Sequence, residues 1–225
     1  SGVNKLVVVD GIYSMNGDYA KLPGLIEVSH RYNARVMVDD AHGTGVGGPT
    51  GRGTADHFGI AEPDIVTGTL SKAFGCIGGF VGATREVTEY ITWNSRAFIY
   101  STSLCPSVTA ALLTAVDIVE REPERRENLW DCTRYLLKSL KQLGFNTGTS
   151  ETPIIPIIVD DENTMFELVA ALDADGIFVS PVIYPACPKK EPRVRISLSS
   201  DHKIADMDRV LYSLMRHGRR LGVIH

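Results

Sequence analysis

The 225-residue chain lacks the marks of a secreted, membrane-spanning or nucleic-acid-binding protein. It has only four cysteines, Cys76, Cys105, Cys132 and Cys187, far apart and without a C-x-x-C pair. They read as free thiols in a reducing compartment, not as a disulfide framework or a metal site. There is no basic block: 23 Lys and Arg against 27 Asp and Glu leave a net charge of −4, which offers nothing to a nucleic acid or an anionic membrane. No apolar run approaches the ~20 residues that span a bilayer. The opening Ser1-Gly2-Val3-Asn4-Lys5 reads as neither a secretory leader nor a transit peptide. Repeats and low-complexity stretches are missing too. What remains is the profile of a soluble cytoplasmic protein, 44% apolar and 22% charged, with no metal centre expected.

Two segments about thirty residues apart carry the chemistry. Asp39-Asp40-Ala41-His42-Gly43-Thr44-Gly45 follows the apolar run Val36-Met37-Val38, so it reads as a strand opening into a glycine loop at its carboxyl end. Gly68-Thr69-Leu70-Ser71-Lys72-Ala73-Phe74-Gly75 follows Asp64-Ile65-Val66-Thr67 and sets one lysine among small and hydroxyl residues. An acid, an imidazole, hydroxyls and an isolated amine then gather at the edge where open α/β sheets bind ligands. Pyridoxal phosphate needs this set: an amine to condense with its aldehyde and an acid for its ring nitrogen.

Further segments agree in order and spacing: Asp10-Gly11-Ile12-Tyr13-Ser14-Met15-Asn16-Gly17-Asp18, Gly51-Arg52-Gly53, Gly78-Gly79-Phe80, Tyr100-Ser101-Thr102-Ser103 and Arg193-Val194-Arg195-Ile196-Ser197-Leu198. From about Val7 to about Arg209 the chain resembles the α-oxoamine synthases, a branch of the fold-type-I pyridoxal-phosphate enzymes. The resemblance implies an α/β fold: the C-terminal part of a large domain with a mostly parallel sheet, then a smaller α+β domain. We place these at residues 1–115 and 116–225. Members of the family are longer, and the chain is expected to be the C-terminal portion of such an enzyme. The missing part normally supplies a side chain that stacks on the cofactor ring.

The resemblance also implies roles. Lys72 is the residue that condenses with the cofactor; to react, such an amine must shed its proton. Asp39, not Asp40, is the acid at the ring nitrogen, since adjacent strand residues point to opposite faces and the family uses the residue three before the histidine. Asp40 is read as loop-ordering or helix-capping. His42 bonds the ring phenolate oxygen and, with Lys72 and Asp39, is catalytic; Ser14 contacts the same edge. Thr69 holds the phosphate, and Ser101 and Thr102 reach the phosphate of a neighbouring subunit, so a homodimer with a shared site is implied. Arg195 grips the amino acid's carboxylate, a bidentate pairing that lysine cannot reproduce. Arg193 lies on the same strand face by period two. Arg52 is structural or near the thioester entrance.

The implied reaction condenses an amino acid with an acyl-CoA or acyl-ACP thioester and releases CO2. Residues 39–45 most resemble the 8-amino-7-oxononanoate synthases, which use alanine and a pimeloyl thioester. Residues 185–188 and 193–198 fit serine palmitoyltransferase-like members equally well, and 2-amino-3-ketobutyrate CoA ligases belong to the same branch. An aminotransferase on the same fold and a non-catalytic folded fragment are the alternatives.

Hydropathy predicts strands at Leu6–Val9, Arg35–Asp39, Ile65–Leu70, Gly79–Ala83, Ala97–Ser101, Pro153–Val159 and Arg193–Ser199, with Gly176–Val179 leading into Ser180-Pro181-Val182. Helices are predicted over Leu22–Tyr32, from Thr84, and over Ser107–Arg121, Asn128–Leu143, Asn163–Asp175 and Lys203–Leu221, with a charged break at 122–127.

Overall fold

The computed structural model describes residues 4–225, so Ser1–Val3 of the segment read for a leader lie outside it. In chain order the elements are β1 (Lys5–Asp10), α1 (Leu22–Arg31), β2 (Ala34–Asp39), α2 (Thr54–Phe58), β3 (Ile65–Thr69), β4 (Gly79–Ala83), α3 (Arg85–Asn94), α4 (Arg96–Ile99), α5 (Pro106–Arg121), α6 (Pro123–Gln142), β5 (Ile154–Ile158), α7 (Glu162–Ala174), β6 (Ser180–Val182), β7 (Arg193–Ser197) and α8 (Ile204–Arg220). They divide into two compact units, Ser1–Ile12 with Tyr19–Pro123, and Tyr13–Asp18 with Glu124–His225.

The first unit is built on a four-stranded sheet in the order β1-β2-β3-β4. The β1–β2 and β2–β3 pairs are parallel and β3–β4 is antiparallel, so the sheet is mixed and mostly parallel. Alternation along a strand turns every second side chain to one face. Val7, Val9, Val36 and Val38 share the face that packs around Leu22 and Ile26 of α1. Asp64 ties the entry of β3 to β2: its carboxylate accepts from the Val36 N–H at 2.8 Å, from Arg35 at 2.9 Å and from His30 at 3.0 Å.

Two expectations need correction in this unit and at its end, and one short helix goes unanticipated. Ala97–Ser101 is not a strand: α4 covers Arg96–Ile99, capped by Ser95, whose hydroxyl accepts from the Phe98 N–H. The apolar run there was mistaken for a strand because four residues are too few to show a period. Pro123–Glu127 is not a break but the first turns of α6, with Pro123 at the position where a missing N–H costs nothing. The short α2 had no periodicity to reveal it.

Helices α3, α4 and α5 bury no residue. Tyr90, Trp93, Phe98, Tyr100 and Leu113 are all more than 60% exposed, which is unusual for side chains of their size.

The second unit pairs a three-stranded antiparallel sheet, β5-β7-β6, with α6, α7 and α8. Its core is larger, running through Leu136 and Leu140 of α6, Ile155 and Ile157 of β5, Leu168 and Leu172 of α7 and Leu214 of α8. Asp175, just past α7, accepts from Ser213 and His217 of α8. The segment Tyr13–Asp18 belongs here. Gly17 has φ +73°, and a Cβ on it would lie 1.9 Å from the Ile154 carbonyl oxygen, so the turn requires glycine.

Candidate functional site

In the first unit the ends of β1, β2 and β3 set out the chemistry. Asp39 is the last residue of β2, exposed, and its Oδ1 accepts from the Ala41 N–H at 3.0 Å. This Asx bond turns the chain out of the strand into the glycine loop. The loop brings His42 back so that its Nε2 lies 3.0 Å from Nζ of Lys72. Lys72 sits in the turn after β3, closed by the Gly75 N–H bonding its carbonyl oxygen at 3.0 Å. A Cβ on Gly45 would stand 2.6 Å from Cβ of Ala73, so the glycine loop lies directly against the lysine turn.

Thr69, at the end of β3, shares a 2.7 Å hydrogen bond with the hydroxyl of Ser71. Sequence reasoning missed Ser71 as the partner of Thr69; two hydroxyls two residues apart were the available signal. Ser101 and Thr102 lie beyond α4, exposed, with neither hydroxyl bonded among the described residues.

Asp40 turns the other way. It is only 3% exposed and its carboxylate accepts from both the N–H (2.8 Å) and the hydroxyl (2.5 Å) of Thr54, the first residue of α2. Gly11, Gly43 and Gly53 surround it, and a Cβ on any of them would come within 2.3 Å of its oxygens. Burial raises the Asp40 carboxyl above the usual range, and the Thr54 bonds oppose that rise. Asp40 therefore orders the loop and caps a helix, as its sequence position suggested. Arg52 is exposed between Gly51 and Gly53, its N–H directed at Asp56.

Four groups on one sheet edge, Lys72, His42, Asp39 and Thr69, fit what pyridoxal phosphate needs: an amine for its aldehyde, an imidazole, an acid and a phosphate-binding hydroxyl.

The second unit holds the other two predicted residues together. Arg195 of β7 donates from Nε to the Ser14 carbonyl oxygen at 2.7 Å and from one terminal nitrogen to Ser197 at 2.8 Å. Its other terminal nitrogen has no hydrogen-bond partner among the described residues. Arg193 differs. It is 2% exposed and bonds Asn16 at 2.7 Å, the Met15 carbonyl, and the Glu191 carbonyl and carboxylate. The two arginines share a face, but only Arg195 has a terminal nitrogen without a hydrogen-bond partner among the described residues. The joining of residues 13–18 to β7 is beyond what local sequence patterns reveal.

The four cysteines are free thiols. Among the described residues no helix is long and apolar enough to cross a membrane, and no cluster of His, Cys, Asp and Glu could hold a metal ion.

The family model described as aminotransferase class I and II matches residues 1–214. An 8-amino-7-oxononanoate synthase of Thermosipho melanesiensis is 44% identical over 98% of this chain and 56% of its own length. A serine palmitoyltransferase of Bacteroides ovatus is 42% identical with the same coverage. Among solved structures, the serine palmitoyltransferase of S. paucimobilis with a bound PLP–myriocin aldimine superposes with TM-score 0.94 at 35% identity, over 99% of this chain and 57% of that one. The chain thus spans about half the length of the curated relatives it matches. These names agree with the resemblance to the α-oxoamine synthases and with a fragment of the fold-type-I architecture.

Proposed function

Because the chain belongs to the aminotransferase class I and II family, we propose that it is part of a pyridoxal-phosphate-dependent α-oxoamine synthase. This enzyme is an acyltransferase that condenses an amino acid with an acyl-CoA or acyl-ACP thioester and releases CO2, most like the 8-amino-7-oxononanoate synthases. The observation that carries the reading is the 3.0 Å approach of Lys72 Nζ to His42 Nε2 on the edge that also bears Asp39 and Thr69. A serine palmitoyltransferase-like specificity is the second reading, favoured by the structural likeness at TM-score 0.94.

Pyridoxal phosphate, when bound, supplies an aldehyde for the amine and a ring that draws off the electron pair left at the substrate Cα. The residues do the rest. Lys72 would hold the cofactor through Nζ, and the same nitrogen, when free, would serve as the base for the Cα proton. His42, whose Nε2 lies 3.0 Å from that nitrogen, would exchange a proton with it and bond the ring oxygen. Asp39 would face the ring nitrogen, where a carboxylate charge favours the protonated form. Thr69 binds the phosphate with its hydroxyl, helped by Ser71, and Ser14 adds a polar contact.

Arg195 orients the amino acid's carboxylate with its remaining donor; partial burial lowers the guanidinium from its usual range without costing it its proton. His42 also donates to the oxyanion that develops at the thioester carbonyl. Unchanged turnover in His42→Phe would remove that last role.

The reading includes a homodimer in which Ser101 and Thr102 reach the partner's phosphate, supported by the bare apolar residues of α3, α4 and α5. The free thiols support a cytoplasmic location.

The test is to supply pyridoxal phosphate with carboxyl-labelled alanine or serine, with and without a pimeloyl or palmitoyl thioester. Label released as CO2 only when thioester is present supports the proposal. Conversion of amino acid to keto acid without thioester would instead make the protein an aminotransferase.

A further inference from the structure

Asp10 has no part in the reaction described above. It is the last residue of β1 and lies in register with Asp39, the last residue of β2. Register partners on parallel strands present their side chains to the same face. That face is opposite the one on which Val7, Val9, Val36 and Val38 meet α1. The register is fastened here by the Gly11 N–H, which donates to the Asp39 carbonyl oxygen at 2.8 Å. Neighbouring strands run about 4.8 Å apart, so the two carboxylates end their strands side by side. Burial, and next the charge of Asp39, push the Asp10 carboxyl up, while the nearby Lys72 pulls it down.

We propose that Asp10 is a positioning residue of the amine site: its carboxylate, beside that of Asp39, sets the pH at which Lys72 Nζ sheds its proton and becomes nucleophilic. The charged groups acting on Asp10 in this unit are Asp39 from β2, its register partner, and Lys72 from the turn after β3, whose Nζ also meets His42. Asp40 is turned away, onto Thr54. A carboxylate close to an ammonium holds the proton on it by simple attraction. Removing that charge makes the amine reactive at lower pH. The inference rests on the reading of Lys72 as the reactive amine.

The experiment uses the chain without cofactor. Lys72 is modified by an amine-reactive anhydride across its alkaline titration, and the rate is read by peptide mass mapping, with Lys21 as internal reference. Asp10→Asn is expected to lower the Lys72 midpoint by about half to one pH unit and leave Lys21 unmoved. Asp10→Glu, which keeps the charge, is expected to restore the midpoint. Should the Asn variant lose its far-ultraviolet circular dichroism, Asp10→Ser replaces it with the same expectation. A midpoint indifferent to loss of the charge overturns the inference. If pyridoxal phosphate is nevertheless retained on Lys72, the functional reading survives and only the Asp10 role falls. If Lys72 titrates like Lys21 in the wild-type chain and retains no cofactor, both fall.

Discussion

Arg195 donates to the carbonyl oxygen of Ser14 across 181 positions of sequence, at 2.7 Å. This bond builds a six-residue loop near the start of the chain into the C-terminal unit and aims the guanidinium with two of its three nitrogens engaged. The other terminal nitrogen has no hydrogen-bond partner among the described residues. Arg193, two residues earlier on the same strand, spends its donors on Asn16, Met15 and Glu191.

The two arginines are therefore expected to respond differently to substitution. Arg193→Met leaves the Asn16 and Glu191 groups it serves unpaired and lowers Tm, with a cost of about 2 kcal/mol. Arg195→Lys should leave the thermal midpoint within a few degrees of wild type, yet raise the amino-acid KM at least tenfold, since a single ammonium cannot span Ser14, Ser197 and a substrate carboxylate as the guanidinium fork does. Thermal melts and amino-acid titrations of both variants check this.

The neighbouring acids should separate in the same way. Asp40→Ala strips the acceptor from a buried N–H and a buried hydroxyl of Thr54 and is expected to destabilise the first unit by about 2–3 kcal/mol. Asp39→Asn removes an exposed carboxylate and should leave unfolding nearly unchanged while weakening retention of pyridoxal phosphate. Denaturant unfolding and cofactor absorbance, measured on both, give the comparison.

Asp64 provides a pH test of the fold. Its partial burial works against ionisation, but bonds from Val36, His30 and Arg35 outweigh it and hold the carboxyl below its usual value of 3.8. A depressed folded-state value means that the group stabilises the fold above the unfolded value. That contribution is lost as the pH falls through the folded one. The Tm difference between wild type and Asp64→Asn should be constant near neutrality and shrink below about pH 4. A difference that grows on acidification would reverse the assignment.

Much of this was legible before the fold was known. Val7–Val9 is a β-branched run and Val36-Met37-Val38 an apolar one, ended by Asp-Gly and Asp-Asp, so β1 and β2 stood out, and the helices from α5 onward show their apolar period. The gathering of Lys72 and His42 was foreseeable because strand ends in an α/β sheet converge. What was hidden depends on distant partners. Ala97–Ser101 has the composition of a strand, but no neighbouring strand pairs with it, and Ser95 starts a helical turn there instead. Arg193 and Arg195 look alike in sequence; their partners in the loop at 13–18, with Glu191 and Ser197, distinguish them. Asp40 was readable as structural, but the three glycines that make room for it are up to 42 residues apart and meet only in the fold.

The central claim is that Lys72 is the amine that holds pyridoxal phosphate. Borohydride reduction of the chain incubated with the cofactor, followed by peptide mass mapping, tests it most directly. The account predicts one dominant adduct, on the peptide containing Lys72, absent from Lys72→Ala. Adducts scattered over surface lysines of the folded chain, and unchanged by Lys72→Ala, would contradict it.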